Sequence, residues 1–367
     1  MGLGVVHVID SGGLYGAERV LLALAVEQAR RGLEPSVALL RPTPALSAAA
    51  ERARIRCRVL SLGRLWSAGG VIVDAARTAG ARIVHSHGFK GNILLGALPR
   101  PRRRGLAVMT TIHGWTETKP LSRMAWYGRL DRALLGRLDA VVFVHDGAAR
   151  AHGVDVSRLR RSAVIENGLL APELRREVLG APKAGLAARI DELAGGRPVV
   201  LAAGRLSPEK GHLHLVDAIA GLRAGGLDIL CVILGEGPCR PVLERRCREL
   251  RLAETSVFMP GFSELDEAIL RRASVFCLPS LRESMPLVLL EALEAGTPIV
   301  ATRVGGVPAL VPDGAGRLVP PGDPIAMAHA LVDVAGEGRR PAPPTGARFP
   351  SAPMAERYEA LYREIVA

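Results

Sequence analysis

Short apolar runs alternate with helical patterns along the whole chain. In the first half the runs fall at 4–9, 35–40, 55–60, 81–87, 106–112, 140–145 and 162–166. Between the first two, Val20, Leu21, Leu24, Ala25 and Ala29 recur at spacings of three and four. That spacing places them on one face of a helix over 16–31, with Gly32 as its C-cap. The second half repeats the scheme, with strands predicted at 198–203, 228–234, 256–259, 274–278 and 298–301. Helices are predicted near 208–224, 238–251, 264–272, 286–295 and 323–335. Strands alternating with helices predict βαβ units and parallel sheets. Residues 171–197 are rich in Ala, Gly, Pro and charge and carry no strong strand run, so the interdomain connection is placed there. A last helical pattern, 353–366, follows a Pro-rich stretch at 340–350. The simplest architecture is α/β, with two successive doubly wound, Rossmann-like domains. Ligands of such sheets bind outside the carboxyl ends of the strands, so two facing domains would share a central cleft.

Composition sets the broad class. Of 367 residues, 49% are apolar, enough for a sizeable core in each half. No run of 18 apolar residues occurs, so no transmembrane helix is expected. The chain opens on Val5-Val6-His7-Val8-Ile9 without the basic flank and cleavage site of a signal peptide. The five cysteines, Cys57, Cys231, Cys239, Cys247 and Cys277, form no C-x-x-C pair. A reducing, cytoplasmic setting is therefore expected.

Candidate chemistry sits where strands hand over to helices. In Pro279-Ser280-Leu281-Arg282-Glu283-Ser284-Met285-Pro286-Leu287, Pro286 suits the first turn of a helix, whose free N–H groups favour anions. Glu283 falls just before that helix, and Glu291 falls inside it among Leu289, Leu290, Ala292 and Leu293. Two carboxylates so placed can accept hydrogen bonds from hydroxyl-rich ligands; an isolated pair at this spacing would read as a capping acid and a surface acid. The run Gly204-Arg205-Leu206-Ser207-Pro208-Glu209-Lys210-Gly211 brings two cations to another strand end. A diphosphate is their natural partner, although the order of a P-loop is absent. Gly235-Glu236-Gly237-Pro238 follows a third strand and lets a ligand approach the backbone. In the first half, Gly12 and Gly13 lie in a glycine-rich loop after the first strand, which is not a dinucleotide fingerprint. His85-Ser86-His87 and Thr111-Ile112-His113-Gly114-Trp115 close two further strands. His85 and His87 share one strand face, so a metal pair is conceivable. No third ligand accompanies them at metal spacing, which favours polar cleft residues.

In this order the motifs resemble glycosyltransferase family 4, the retaining enzymes of GT-B fold. The resemblance runs from Gly16-Ala17-Glu18-Arg19 through His85-Ser86-His87, His113, Val164-Ile165-Glu166-Asn167-Gly168 and Gly204-Arg205-Leu206. It continues through Gly235-Glu236-Gly237-Pro238, Glu283 to Glu291, Gly305-Gly306 and Leu318-Val319-Pro320-Pro321-Gly322-Asp323. It implies a nucleotide-binding domain over 173–352, an acceptor-side domain over 1–172, and a helix 353–367 returning to the latter. It implies catalytic roles for His113, Arg205, Lys210 and Glu283, with the two cations on the donor diphosphate. Gly12, Gly13, Gly235, Glu236, Met285, Pro286, Leu287 and Glu291 would bind the donor, Glu291 through the ribose. No metal or other cofactor is implied. The donor is a nucleotide-diphosphate sugar, with a UDP-sugar favoured, and the acceptor a saccharide, a lipid-linked sugar or a small molecule. Ser284 departs from the pattern, standing where glycine is usual, and Ala309 stands where an acid is common.

The net charge of +12 adds one further partner. Arg100, Arg102, Arg103 and Arg104, and the helical pattern 121–138 with Arg123, Trp126, Tyr127, Arg129, Arg132 and Arg137, suit an anionic membrane surface at the inner face of the membrane. An arginine-rich solvated surface is the plainer reading. Nucleic acid is not expected, because no binding motif appears. Two other functions share the donor site: a nucleotide-sugar epimerase of GT-B type and a non-catalytic nucleotide-sugar-binding protein.

Overall fold

The computed structural model describes residues 2–62, 65–114, 122–252, 256–336 and 349–367. Trp115, Leu121 and residues 340–348 of the Pro-rich stretch lie outside them. The chain divides into two compact units, Met1–Leu179 with Pro350–Ala367, and Gly180–Phe349.

The first unit holds a seven-stranded sheet of β1 (Gly4–Ile9), β2 (Glu34–Leu39), β3 (Arg56–Val59), β4 (Ile83–Ser86), β5 (Ala107–Ile112), β6 (Ala140–Phe143) and β7 (Ser162–Val164). The second holds β8 (Val199–Ala203), β9 (Leu230–Leu234), β10 (Val257–Gly261), β11 (Val275–Leu278), β12 (Ile299–Thr302) and β13 (Gly316–Val319). The orders are β3-β2-β1-β4-β5-β6-β7 and β10-β9-β8-β11-β12-β13, with every pairing parallel. Central strands such as β1, β5 and β9 are buried along their whole length. Helices on both faces of a parallel sheet explain that continuous burial. The order reverses between β1 and β4 in one sheet and between β8 and β11 in the other. Such switch points open a crevice at the strand ends.

Several local expectations shift. The pattern 208–224 breaks at Gly211 into a 3-10 turn, Pro208–Lys210, and a helix, His212–Ala224. Gly211 has φ +64°, and a Cβ there would lie 2.1 Å from the Pro279 carbonyl oxygen. The pattern 264–272 shrinks to one turn, Glu267–Leu270. Pro286 is the N-cap of the helix Leu287–Glu294, one position before its first turn. β13 carried no predicted strand; only Val319 of its four residues is buried.

The first unit runs past 172 because the helix Pro172–Leu179 docks within it, Arg52 Nε donating to the Val178 carbonyl at 3.0 Å. It also holds the last helix, Ser351–Val366. Ser351 Oγ donates to Glu27 at 2.8 Å, Arg31 Nε donates to Glu359 at 2.8 Å, and Tyr358 and Tyr362 are fully buried. Gly168 makes this return possible, since a Cβ there would lie 2.6 Å from both the Pro350 oxygen and the Ser351 Cα.

Candidate functional site

In the second unit, loops leaving β8, β9, β11 and β12 pack backbone against backbone. A Cβ on Gly235 would lie 1.9 Å from the Gly204 oxygen, and one on Gly305 would lie 1.9 Å from the Glu283 oxygen. Gly306 N donates to the Ser284 carbonyl at 2.9 Å. The Glu209 carbonyl accepts from Leu281 N at 2.8 Å, which ties the 208–210 turn to the loop after β11. That tie brings Lys210 to Glu283. Lys210 Nζ donates to Glu283 Oε1 at 2.7 Å, and Ser280 Oγ donates to the same oxygen at 2.7 Å. The Glu283 side chain is 7% exposed and that of Lys210 26%. An ammonium has three donors, so two remain to Lys210 beyond the glutamate.

The other expected donor-site residues fall around this pair. Arg205 is exposed on the loop after β8. Met285, Pro286 and Leu287 are buried at the start of their helix. Glu291 is 3% exposed, which removes the reading of a solvated surface acid. Ser284 Oγ is buried and has no hydrogen-bond partner among the described residues. Gly235 is buried, whereas Glu236 is exposed and accepts from Arg240 Nη1 at 3.0 Å, one turn along.

In the first unit, the loop after β1 is held by Ser11 Oγ, which accepts from Gly13 N at 3.1 Å, and by Thr43 Oγ1, which donates to the Ser11 carbonyl at 2.6 Å. Gly12 is exposed and Gly13 half-buried. Asp10 pairs with Lys90 at 2.6 Å and with Arg41 at 3.2 Å beside them.

The histidines form a cluster larger than the sequence suggested. His7 on β1 pairs in register with His85 on β4. His7 Nδ1 lies 2.9 Å from His87 Nε2, and His87 Nδ1 lies 3.0 Å from His113 Nε2. His7 Nε2 meets Gln28 Oε1 at 2.8 Å. His85 contacts Tyr362 Oη through Nδ1 and Thr111 Oγ1 through Nε2, both at 2.8 Å. Gln28 Nε2 donates to Tyr362 Oη at 3.0 Å, and Thr111 Oγ1 meets Tyr358 Oη at 2.8 Å. Burial lowers His7 and His113 to about pKa 4, and burial beside the other rings lowers His85 and His87 well below the ordinary value. All four rings are neutral near pH 7.

The expectation that no third ligand joins His85 and His87 is corrected here. One nitrogen from each of His7, His85 and His87 lies within 4.8 Å of the others. All six ring nitrogens of these residues nevertheless have hydrogen-bond partners. A metal held there would displace part of that network. His7, Gln28, Thr111, Tyr358 and Tyr362 were not singled out from sequence. Their signal was a polar residue inside an apolar strand or stripe, as with His7 in β1 and Gln28 on the face of Leu21, Leu24 and Ala25.

Against known proteins, residues 15–169 match the family described as Glycosyltransferase Family 4, and residues 197–337 match Glycosyl transferases group 1. Both matches are to glycosyltransferase family models, one in each unit of the chain. The chain is 31% identical over 287 residues to the D-inositol 3-phosphate glycosyltransferase of Streptomyces coelicolor, covering 74% of this chain and 60% of the relative. It is 32% identical over 179 residues to the alpha-D-kanosaminyltransferase of Streptomyces kanamyceticus, covering 46% of each. The match thus spans less than half of that relative. The structure of Anabaena Alr3699/HepE in complex with UDP and glucose superposes with a TM-score of 0.81 at 20% identity, covering 99% of this chain and 100% of the other. The fold is GT-B.

Proposed function

We propose that the chain is a retaining glycosyltransferase that moves a sugar from a nucleotide-diphosphate sugar to a saccharide, lipid-linked or small-molecule acceptor. The observation that carries this is the 2.7 Å Lys210–Glu283 pair, set among glycine-bearing strand-end loops at the β8/β11 switch point. Lys210 and Arg205 hold the donor diphosphate and stabilise the negative charge that develops as it leaves. Glu283 holds hydroxyls of the transferred sugar, and Glu291 the ribose. Gly235, Glu236, Met285, Pro286 and Leu287 line the donor. In the first unit, His113 contacts the sugar or the reacting centre, and Gly12 and Gly13 the phosphate or acceptor. The bond from the anomeric carbon to the phosphate oxygen breaks, and the acceptor oxygen bonds on the same face. The acceptor proton passes to the leaving phosphate, and no divalent cation takes part. The UDP and glucose carried by the Anabaena neighbour support a UDP-sugar as the donor to test before others.

The test is a thermal-shift screen of UDP, GDP and ADP and their sugars, followed by turnover of the stabilising donor. A ligand that binds only the folded state raises the midpoint. Lys210→Ala is expected to lower turnover ~100-fold or more; wild-type turnover in that variant would remove the diphosphate role. A new sugar isomer formed from the donor alone would point to the epimerase.

We also propose contact with an anionic membrane surface, narrowed to the helix Arg123–Leu135. Arg123, Trp126, Tyr127 and Leu130 share a face by helical spacing and are exposed, Trp126 by 62%. Arg100 and Arg104 spend their charge within the unit, on Asp139 and Asp74 at 2.7 and 2.9 Å, and Arg103 is buried. Among the described residues no helix is long and apolar enough to cross a membrane. Cosedimentation with anionic vesicles at low salt, lost in Trp126→Ala, is the expected result. No sedimentation of the wild type sinks the proposal.

A further inference from the structure

The buried polar chain of the first unit can point in only one direction at a time. A neutral imidazole carries one N–H and one lone pair. A ring bonded through both nitrogens therefore donates with one and accepts with the other. Gln28 Oε1 can only accept, so the proton of His7 sits on Nε2, 2.8 Å away. His7 Nδ1 then accepts from His87 Nε2–H at 2.9 Å. His87 Nδ1 in turn accepts from His113 Nε2–H at 3.0 Å. This leaves His113 with a bare Nδ1.

The other arm keeps the same sense. Gln28 Nε2 donates to Tyr362 Oη at 3.0 Å, so the Tyr362 hydrogen is directed to His85 Nδ1 at 2.8 Å. His85 Nε2–H donates onward to Thr111 Oγ1 at 2.8 Å. Every link from His113 to Thr111 runs head to tail. A half-turn of the Gln28 amide reverses all of them and moves the proton of His113 from Nε2 to Nδ1. Gln28 is fully buried, one nitrogen-bearing edge anchored on Tyr362 of the last helix. Because burial keeps the four rings neutral, tautomer rather than charge is the variable they share.

We propose that Gln28 is a positioning residue that sets, through His7 and His87, which nitrogen of His113 carries the proton. In the orientation observed, His113 offers a lone pair at Nδ1, which suits a substrate hydroxyl. In the reversed orientation it would offer an N–H, which suits a phosphate or carbonyl oxygen. The assignment of His113 to substrate rests on the glycosyltransferase reading above; the tautomer assignment does not.

The experiment is nitrogen NMR of the full chain labelled with 15N-histidine near pH 7.5. Protonated and bare ring nitrogens resonate far apart, so each tautomer is read directly, with single-histidine variants for assignment. The expected wild-type result is the Nε2–H form for His7, His87 and His113. An Nδ1–H form or an imidazolium at His113 in the wild type overturns the proposal, and this arm needs no Gln28 variant to fold. In Gln28→Met, His113 is expected to show a mixture of tautomers. Its kcat should fall about 10-fold or more, with donor KM within about twofold. A pure Nε2–H tautomer with wild-type kcat in that variant also overturns the proposal. If the tautomers are as stated but His113→Ala keeps wild-type turnover, the tautomer assignment is supported and the reading of His113 as a site residue fails.

Discussion

The two switch points are built from different materials. At β8/β11 the backbone does the building. Gly211, Gly235 and Gly305 let carbonyl oxygens approach to distances that a Cβ would forbid, and the Lys210–Glu283 pair stands on those loops. At β1/β4 the side chains do it. His7, His85 and His87 are joined to Gln28, Thr111, Tyr358 and Tyr362 in one buried side-chain network. Backbone construction makes a site rigid without spending side chains, which stay available to a ligand. Side-chain construction fixes proton positions, because each buried donor must meet an acceptor.

Breaking the backbone-built end is expected to have the largest effect. Gly235→Ala places a Cβ 1.9 Å from the Gly204 oxygen at φ +150°, and should cost ~3 kcal/mol or more. A wild-type midpoint in chemical denaturation would show that these loops are not in close backbone contact. Acid tests the other end. His7 and His113 fall from 6.5 unfolded to about 4 folded. Between those values the unfolded chain binds more protons, so stability is full above pH 6.5 and is lost as pH falls toward 4. The loss is about 1.4 kcal/mol per pH unit for each net proton. Calorimetry should find proton uptake on unfolding at pH 5 and little from histidine at pH 8. Equal uptake at both would contradict four neutral rings. In the second unit His212 contributes in the same way, lowered to about 4 by burial and by Lys210.

The tyrosines sharpen the contrast on a smaller scale. Tyr362→Phe strips a partner from both Gln28 and His85, and should cost roughly 1–3 kcal/mol. Tyr358→Phe touches only the Thr111 link and should cost about 1 kcal/mol or less. Equal losses would mean that the two hydroxyls do not differ in their place along the chain.

Much of this was legible before any coordinates. Glu283, Glu291, Arg205 and Lys210 fall in short contiguous motifs next to strand ends, because a loop must carry its own glycines and its own charges to serve a ligand. The alternating apolar runs pointed to the parallel sheets for a similar reason, since a strand buried on both faces is continuously apolar. β13 escaped because an edge strand of Gly316, Arg317 and Leu318 buries too little to leave that signal.

The chain alone determined the fold class, the ordered family motifs and the residues to suspect. Only the tertiary structure decided that Lys210 and Glu283 pair, because a glycine break at 211 and a hydrogen bond from Leu281 to Glu209 set their separation. Only it joined His7 and Gln28 to His113 and to a tyrosine more than three hundred residues away, |i−j| being 334 for Gln28 and Tyr362. Local pattern reports what each segment buries. Which buried polar groups meet depends on strand register and on where the last helix returns, and neither is written in any one stretch of sequence.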